Sequence, residues 1–523
     1  MKGDFSRETF DATRHFTRVL MQQGRVQLDA DWNEQAAILL RYLQTLAADL
    51  IGPAGGPKEH LGFGLVDPST LSTDEQTRLK RLGILPLAAG DFLIGAGRYY
   101  VDGILCENED NVSYLHQPDA PGWSALDNGN SYLVYLDVWE RYISSSEDDD
   151  IREVALGGPD TAGRARVVWQ VRTLLPNVET ARLHTELAVL QRQLEEAKAT
   201  KANDQIEIIT RKIELVQKRI DSFSPTFDCT SASNLLGSQA ALSDAKLRAR
   251  AKQDQPPTDP CVILPEARYR GPENQLYRVE IHTGSLDGNG NPAQPTFKWS
   301  RENGSVMFPI LDLASDTASN STRVTLAHLG RDLKLSVAIG DWVELVDDDY
   351  ARENRADRLL RVKDVDRVDM AVTLDGMPTA TIGADPAKHP LLRRWDQKQG
   401  DPKQRGLELG SDNAALIVEG AGEDDSDWLA LEDGVRIQFQ PGGTYRTGDY
   451  WLVPARTATG DVEWPQVLDS TGKDIIAAAL LPRGVLHHYA PLAVISVDGG
   501  NVKLQGNCRC TINPPVHCFD QSS

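Results

Sequence analysis

SYLVYLDVWERYI (residues 131–143) and, shortly after it, RARVVWQVRTLL (residues 164–175) are rich in β-branched and aromatic side chains. Gly, Asn and Asp bound both runs. Such side chains pack well on the pleated surface of a sheet, and the bounding residues favour turns. The two runs therefore predict strands, and they set our expectation of a fold built mainly of β-structure.

The same pattern recurs on both sides of these runs. It appears before them in DFLIGAGRYYVDGILCEN (91–108) and after them in LYRVEIHTG (276–284) and PTFKWSRENGSVMFPIL (295–311). VAIGDWVELVDDDY (337–350) and RLLRVKDVDRVDMAVTLDG (358–376) alternate over short strands with acidic turns, which predicts a small antiparallel barrel. GVRIQFQPGGTYRTGDYWLVPART (434–457) and YAPLAVISVDG (489–499) predict a last β module with Gly-based turns.

One segment breaks the β pattern. Over residues 178–222 apolar side chains recur at spacings of three and four in two runs separated by the polar KATKAND. This periodicity predicts two helices that fold back as an antiparallel coiled-coil hairpin, with arms of roughly 30 Å at 1.5 Å per residue. Because KATKAND contains neither Gly nor Pro, one long continuous helix is the alternative. The members of the two runs are Leu183, Leu187, Leu190, Leu194 and Ala197, then Ile206, Ile209, Ile213, Val216 and Ile220.

The N-terminal region predicts an extended arm followed by a helix. Asp31, with Glu34 three residues later, is typical of a helix start, and Gly52 with Pro53 ends the helix. Between them one apolar stripe predicts packing against another helix, of this chain or of a neighbour, or else ordinary core packing. The stripe consists of Trp32, Ala36, Leu39, Leu43, Leu46 and Leu50.

The chain has 523 residues, which exceeds one compact core and predicts three to five domains. The expected class is mainly β and multi-domain, α+β overall. The division that we predict is an N-terminal arm and capped helix for docking (1–55), a β domain (85–177 with 223–310), an inserted helical hairpin (178–222), a small barrel-like domain (311–400) and a C-terminal β domain (401–523).

The net charge of −21 bears on partners. A surface this acidic repels the phosphates of nucleic acids and anionic lipids. We therefore expect that the protein neither binds nucleic acid nor inserts into a membrane. The first residues, MKGDFSRETF, lack the apolar segment of a secretory signal. We expect synthesis and assembly in the cytoplasm, with any release from the cell by lysis or as part of a larger particle.

Four residues near the end of the sequence raise the question of a metal. Cys508, Cys510 and Cys518 cluster with His517 in NCRCTINPPVHCF. Three thiols and an imidazole suit zinc, but the ligand pairs 508/510 and 517/518 are spaced too closely for easy tetrahedral binding. We therefore expect unliganded or paired thiols and no metal or cofactor.

Two acidic runs begin like calcium loops. Asp29, Asp31 and Asn33 are followed by Glu34 at the sixth position, where a calcium loop needs Gly, and by Leu40 at the twelfth, where it needs Glu. The second run, Asp287, Asn289 and Asn291, fails at the twelfth position because Lys298 stands there. A helix start and a hairpin turn explain the two runs better.

No motif of a phosphate loop, zinc protease or serine hydrolase is present in the sequence. His487 and His488 are adjacent on a predicted strand, so they should face opposite sides, one buried and hydrogen-bonded and one solvated. A glycan hydrolase that needs only two carboxylates stays open, since 76 acidic residues leave the choice arbitrary. We predict no enzyme and no catalytic residue.

Several blocks resemble a bacterial family of unknown function. They are GDFSRETFD (3–11), VLMQQGRVQLDADWNEQ (19–35), GRYYVDGILCEN (97–108), LDVWERYI (136–143), FKWSRENGS (297–305) and GGTYRTGDYWLVPART (442–457). The resemblance runs from end to end, but the hairpin 178–222 is not among the family's blocks.

Members of that family are encoded in or near clusters for extracellular contractile injection systems and related phage tails. The resemblance therefore implies a structural or adaptor subunit of such a particle, in its baseplate, cap or fibre, with other subunits and further copies of itself as partners. The alternatives are a fibre or decoration protein that binds a cell-surface glycan or protein and, third, a tail-associated glycan hydrolase. Tyr445, Tyr450 and Trp451 are expected in a β-corner core, or else at an interface.

Overall fold

A computed structural model of the chain describes residues 1–120, 122–158, 160–200, 203–221, 229, 236, 243–251, 268–286, 293–353, 355–379, 382–400, 406–424, 427–469 and 472–512. Strands predominate over helices in these ranges. No helix within them is long and apolar enough to cross a membrane.

The helices lie mainly in the first half of the chain. The first follows an extended arm, and the third and fourth are consecutive. They are α1 (Asp29–Ile51), α2 (Thr73–Arg81), α3 (Pro176–Thr200), α4 (Asn203–Asp221) and α5 (Asp348–Glu353).

The strands form three groups, the outer module, the middle module and the barrel. Those of the outer module are β1 (Ala54–Pro57), β2 (Leu65–Val66), β3 (Leu93–Ile94), β4 (Gly97–Val101), β5 (Ile104–Asn108), β6 (Val112–Ser113), β7 (Ser131–Ile143) and β8 (Arg164–Leu174), joined by β25 (His488–Asp498), β26 (Asn501–Asn507) and β27 (Thr511–Ile512). Those of the middle module are β9 (Leu247–Arg250), β10 (Gln275–Thr283) and β11 (Thr296–Ser300), joined by β18 (Ala415–Leu416), β19 (Leu429–Ala430), β20 (Arg436–Phe439), β21 (Tyr450–Arg456), β22 (Asp461–Val462), β23 (Gln466–Leu468) and β24 (Ile475–Ala477). Those of the barrel are β12 (Met307–Asp316), β13 (Ser321–Leu326), β14 (Trp342–Val346), β15 (Leu360–Asp366), β16 (Ala371–Asp375) and β17 (Leu391–Trp395).

The outer module packs two four-stranded sheets over one core. Their strand orders are β27-β1-β4-β5 and β26-β25-β7-β8. The long strands predicted at 131–143 and 164–175 pair along nearly their whole length, from Leu133 opposite Leu174 to Ile143 opposite Arg164. Tyr99, Leu136, Trp169 and Ile495 lie in the buried core between the sheets.

The middle module has a five-stranded sheet, β18-β11-β10-β21-β22, covered by β19-β20-β9. Its core is aromatic and includes Tyr277, Trp299, Phe439 and Trp451. The Gly-based turns predicted before β21 are present, with Gly442 and Gly448 at φ of 80° and 86°. Positive φ is costly for residues with a side chain, so Gly suits both positions.

The predicted small barrel is confirmed. Six strands close in the order β12-β13-β16-β15-β14-β17, within the predicted range 311–400 except for the first residues of β12. Alternate residues fill the inside with aliphatic side chains, among them Val343, Leu360, Val372 and Leu392. The mainly β, multi-module class is confirmed with it.

The strand pairing groups the chain differently from the predicted domain division. β25 of the segment 401–523 pairs with β7 of the outer module, and β21 of the same segment pairs with β10 of the middle module. Residues 85–177 and 223–310 therefore do not share one sheet, and 401–523 is not one unit. Alternation identifies a strand but not its partner, which is fixed by contacts far apart in sequence. The three modules are nested: the barrel is inserted in the middle module, and the middle module in the outer one.

Two separate helices, α3 and α4, occupy the segment 178–222 and contact each other. Of the predicted stripe, Leu183 and Val216 are buried, and Leu187, Leu190, Ile209 and Ile213 are half-buried. The polar KATKAND falls at the break, where residues 201–202 lie outside the described ranges. α4 also contacts the middle module, because Lys212 Nζ donates to the Gly442 carbonyl at 2.8 Å.

Candidate assembly surface

The N-terminal arm (residues 1–28) lies along α1. Three acceptor side chains of the DADWNEQ motif, which begins α1, hold it there. Asp29 Oδ2 accepts from the Ser6 amide at 2.8 Å, Glu34 Oε2 from the Thr9 hydroxyl at 2.5 Å and Gln35 Oε1 from the Val19 amide at 2.8 Å. The motif therefore positions the arm as well as starting the helix.

α1 begins at Asp29, two residues before the predicted Asp31 cap. The Asp31 carboxylate instead accepts from the Leu28 amide at 3.2 Å, as the third helical residue of a capping box does. The predicted end is confirmed, with Gly52 following Ile51 at φ 88°. Asp29 and Asp31 both accept hydrogen bonds from backbone amides, as expected at a helix start. The described residues contain no group of three or more side chains that could hold a metal ion. The second acidic run, at 287–291, lies outside the described ranges.

The apolar stripe of α1 faces away from the body of the chain. All six of its members are exposed, which excludes core packing for this stripe. Leu40 and Tyr42 beside it are exposed as well. The exposed fractions of the large side chains are Trp32 61%, Leu39 53%, Leu40 42%, Tyr42 68%, Leu43 60%, Leu46 45% and Leu50 76%.

The opposite face of α1 is small and sits close to the outer module. Ala30 and Ile38 are its buried apolar residues, and Ala47 and Ala48 are half-buried. Gly103, in the turn between β4 and β5, comes so near Gln44 that a Cβ there would overlap the helix backbone. Apart from Ile38, α1 thus reverses the usual arrangement, since most of its large apolar residues face solvent and alanines lie against the protein.

The start of the arm inserts between the modules. Lys2 Nζ lies 2.8 Å from Glu280 Oε1 on β10. Asn303 Nδ2, in the turn after β11, donates to the Gly3 carbonyl at 2.9 Å. The arm is therefore fixed at both ends, on the middle module and on α1.

Lys2 joins a buried charged cluster between the middle module and the barrel. Arg278 Nε donates to Glu280 Oε2 at 2.5 Å, and Lys298 Nζ donates to Glu344 Oε1 at 2.6 Å. Burial alone would raise the pKa of Glu280, but Lys2 and Arg278 hold it well below its usual value. Burial lowers the pKa of Lys2 to about 7 despite Glu280.

A cavity of about 680 Å³ lies where the arm and the three modules meet. The arm lines it with Lys2 and Phe10, the outer module with Trp139, the middle module with Lys298 and the barrel with Arg393.

His487 and His488 both bind carboxylates. His487 Nδ1 lies 2.6 Å from Oδ1 of the fully buried Asp137, whose other oxygen accepts from Arg172 at 3.0 Å. His488 Nδ1 lies 2.8 Å from Asp102. The two imidazoles thus have different carboxylate partners. The prediction of one solvated ring was wrong, since both side chains are partly covered.

The aromatic residues predicted at a β corner are in the core. Tyr445, Tyr450 and Trp451 are all buried. Tyr445 donates to Glu419 Oε1 at 2.8 Å, and Trp451 Nε1 donates to the Leu480 carbonyl at 2.9 Å. They do not form an exposed aromatic contact surface.

Cys508 forms a disulfide with Cys229, with their Cα atoms 5.1 Å apart. Cys510 is a free, exposed thiol. Cys518 and His517 lie outside the described residues. A disulfide-bonded Cys508 has no thiolate that could bind a metal. For this residue the structure shows the paired thiol, one of the two states that the sequence predicted.

The family described as a family of unknown function (DUF6519) matches residues 1–518, and the chain belongs to it. No curated protein matches the chain. Among solved structures, one titled "Crystal structure of TssK" aligns over 82% of this chain and 99% of that chain at 9% identity. Its TM-score of 0.16 is too low to support an argument about fold or function.

Proposed function

We propose that this member of the DUF6519 family is a structural or adaptor subunit of a contractile injection particle. The observation that carries the proposal is the outward-facing apolar stripe of α1. Seven large apolar side chains at their observed exposures form a patch on the order of 700 Å². Monomeric proteins typically leave roughly 300–600 Å² in their largest patch. A surface of this size on a rigid helix suits a permanent partner.

The partner that fits this stripe best is a second copy of the chain. Trp32, Leu39 and Leu46 alternate with Ala36, Leu43 and Leu50 in a heptad pattern, and identical heptad stripes are self-complementary. Like charges at the positions that flank the stripe would oppose the pairing of two identical helices. Here the flanking positions hold Asn33, Leu40 and Ala47 on one side and Gln35, Tyr42 and Asp49 on the other, with Asp49 as the one charge among them. The patch approaches the roughly 800 Å² per partner of a standard interface.

The rest of the molecule supports a scaffold. Because the modules are nested, β1 and β27, which are far apart in sequence, are neighbours in one sheet. The N-terminal arm links these modules to α1. Within a particle the subunit contacts other components at the baseplate, the cap or a fibre. We place its synthesis and assembly in the cytoplasm, and its role in the particle is not catalytic.

The test is to find the chain in purified particles. Quantitative mass spectrometry of intact particles should detect it at a fixed ratio to the sheath subunit, and cryo-electron microscopy should show density for its modules. A particle preparation that lacks the chain, together with a recombinant chain that stays monomeric at high concentration, would overturn the proposal. Release of sugar from peptidoglycan, abolished by one carboxylate substitution, would favour the hydrolase instead.

A further inference from the structure

Residues 11–28 of the N-terminal arm leave large apolar side chains in solvent, next to the α1 stripe. Gln35, which flanks the stripe, accepts from the Val19 amide at 2.8 Å and so holds this part of the arm beside it. Every residue from Leu20 to Leu28 is exposed. The exposed fractions of the large apolar side chains are Phe16 50%, Leu20 69%, Met21 44%, Val26 85% and Leu28 42%.

The arm enlarges the apolar surface that each copy can offer to another. At their observed exposures its five large side chains add on the order of 400 Å². Together with the patch on α1 this gives roughly 1,100 Å² per copy, whereas a permanent homodimer buries about 1,000 Å² or more on each partner. The patch on α1 stays below that area alone and reaches it with the arm.

The stripe of α1 fits a second copy best when the two helices run antiparallel. Its spacing of four, three, four, three and four is the same in both directions. Antiparallel pairing sets Leu39 opposite the partner's Leu43. It also sets Ala36 opposite the partner's Leu46, so a small residue faces a large one. Parallel pairing would set Ala36 and Trp32 each against its own copy, which leaves a void at the first and crowds the second.

The antiparallel arrangement also brings each arm to the other copy. A two-fold axis that maps one helix onto the other in reverse leaves each flank of the stripe on its own side. The flank with Gln35 and the arm then lies beside the same flank of the partner's helix, close to the end of that helix. Asp49 is exposed on this flank at that end.

The charges of the two elements are complementary. Residues 11–28 contain three arginines and one aspartate, a net charge of +2 in a chain of net charge −21. α1 contains four acidic residues and one arginine, a net charge of −3. Arg18 and Arg25 are exposed, and none of the described residues forms an ion pair with them. The last turn of α1 holds no basic residue of its own, so cations from a partner would stabilise its C-terminal end.

We propose that two copies pair their α1 helices antiparallel and that residues 11–28 of each copy dock on the last two turns of the partner's helix. The apolar side chains of the arm cover the open side of the partner's Leu46 and Leu50. Arg18 and Arg25 approach the partner's Asp49. The inference rests on the self-association proposed above, to which it adds the orientation and a second contact element.

Disulfide cross-linking tests the orientation. Leu39→Cys and Leu43→Cys are made separately in the full chain, with Cys510→Ser and Cys518→Ser in both to remove competing thiols. After mixing and oxidation the two variants should form a cross-linked dimer, because antiparallel pairing sets these positions opposite each other, and each variant alone should not. Cross-linking of each variant alone but not across the mixture, or no cross-link in any sample, would overturn the antiparallel pair.

Sedimentation equilibrium tests the arm. Leu20→Ser with Val26→Ser removes apolar surface that is exposed in the single copy, so it should weaken self-association at least about tenfold while the free energy of unfolding stays unchanged. Val154→Ser with Leu156→Ser is the matched control. These residues are 85% and 68% exposed in the loop between β7 and β8 and belong to neither the arm nor α1, so this variant should associate like the wild type.

The charge contact has its own variant, Arg18→Gln with Arg25→Gln. It should weaken association several-fold at low salt and hardly at all in about 1 M salt, where exposed charges are screened. If both arm variants associate like the wild type while charged substitutions in the α1 stripe still abolish the dimer, the arm contact alone is overturned. A wild type that stays monomeric overturns the self-association itself and this inference with it.

Discussion

Lys298 Nζ lies 2.6 Å from Glu344 Oε1, and both side chains are almost fully buried. The pair joins β11 of the middle module to β14 of the barrel, strands that share no sheet. Trp395 Nε1 donates to the other oxygen of Glu344. This lysine therefore adds a buried ion pair to the contact between the two modules, beside backbone bonds such as that from the Asp396 amide to the Trp299 carbonyl at 2.9 Å.

Lys298→Met should destabilise the chain strongly. The substitution leaves Glu344 buried with one neutral donor, and breaking a buried pair in this way costs about 3–5 kcal/mol. Urea unfolding followed by tryptophan fluorescence would measure the loss. Lys363→Met is the matched control, because its pair with Asp375 is about half exposed on both sides and is worth roughly 0–1 kcal/mol. Similar midpoints for the two variants would show that the buried pair does not hold the modules together.

Asp449→Asn should stabilise the chain above pH 6. Burial raises the pKa of Asp449 from 3.8 to about 6, and its Oδ2 has no hydrogen-bond partner among the described residues. The folded state therefore holds its proton more tightly than the unfolded one. Stability from this group is complete below pH 3.8 and is lost as the pH rises through 6.

The gain from Asp449→Asn should be about 1–3 kcal/mol at pH 8 and close to zero at pH 4. Thermal unfolding at both pH values measures it. Asp375→Asn, at a half-exposed carboxylate, serves as the control and should show no such pH-dependent gain. A gain at pH 4 equal to that at pH 8 would contradict the assignment of the effect to ionisation.

Local periodicity predicted the elements of this fold well. The end of α1, the two helices of the hairpin and the closed barrel follow from spacing and turn residues near one another in sequence. Sheet partners did not follow, because β25 reaches β7 across some 350 residues and no local pattern encodes that choice.

The candidate sites were harder to predict than the elements. The sequence identified the α1 stripe but not that it faces solvent. That orientation depends on Gly103 and on the small residues of α1 that pack close to the outer module. The cluster around Glu280 was missed, although Arg278, Glu280 and His282 alternate with apolar residues along a strand. Charges at alternate positions of a strand usually face water, and here they are buried because the barrel and the N-terminal arm pack against this face.

Deleting residues 178–222 and closing the gap with a short Gly-Ser linker should leave the β modules folded. α3 and α4 belong to no sheet, and Lys212 ties α4 to the turn at Gly442 and Thr444. We expect the β circular-dichroism signal to persist and particle assembly to be impaired. Lys212→Met is the milder variant, and it should speed hydrogen exchange in α4 without affecting the barrel. Global unfolding of the deletion variant would show that the hairpin is part of the core.

Leu39→Lys with Leu43→Lys should abolish self-association and leave the monomer intact. Both side chains are more than half exposed, so the substitutions remove no packing within the chain and should change its free energy of unfolding by no more than about 0.5 kcal/mol. In a paired helix each Leu would be buried, and losing both should weaken association at least about a hundredfold. Sedimentation equilibrium over a range of concentrations measures the dissociation constant. Leu333→Lys with Val368→Lys is the matched control. These residues are 84% and 92% exposed on loops of the barrel and do not belong to the α1 stripe, so this variant should associate like the wild type. Equal weakening by both pairs would assign the effect to added charge, and a wild type that stays monomeric would leave the α1 stripe without the partner proposed for it. If only the variant with Leu39→Lys and Leu43→Lys loses self-association, the dimer interface must include α1, because both variants add two lysines and they differ only in where these lie.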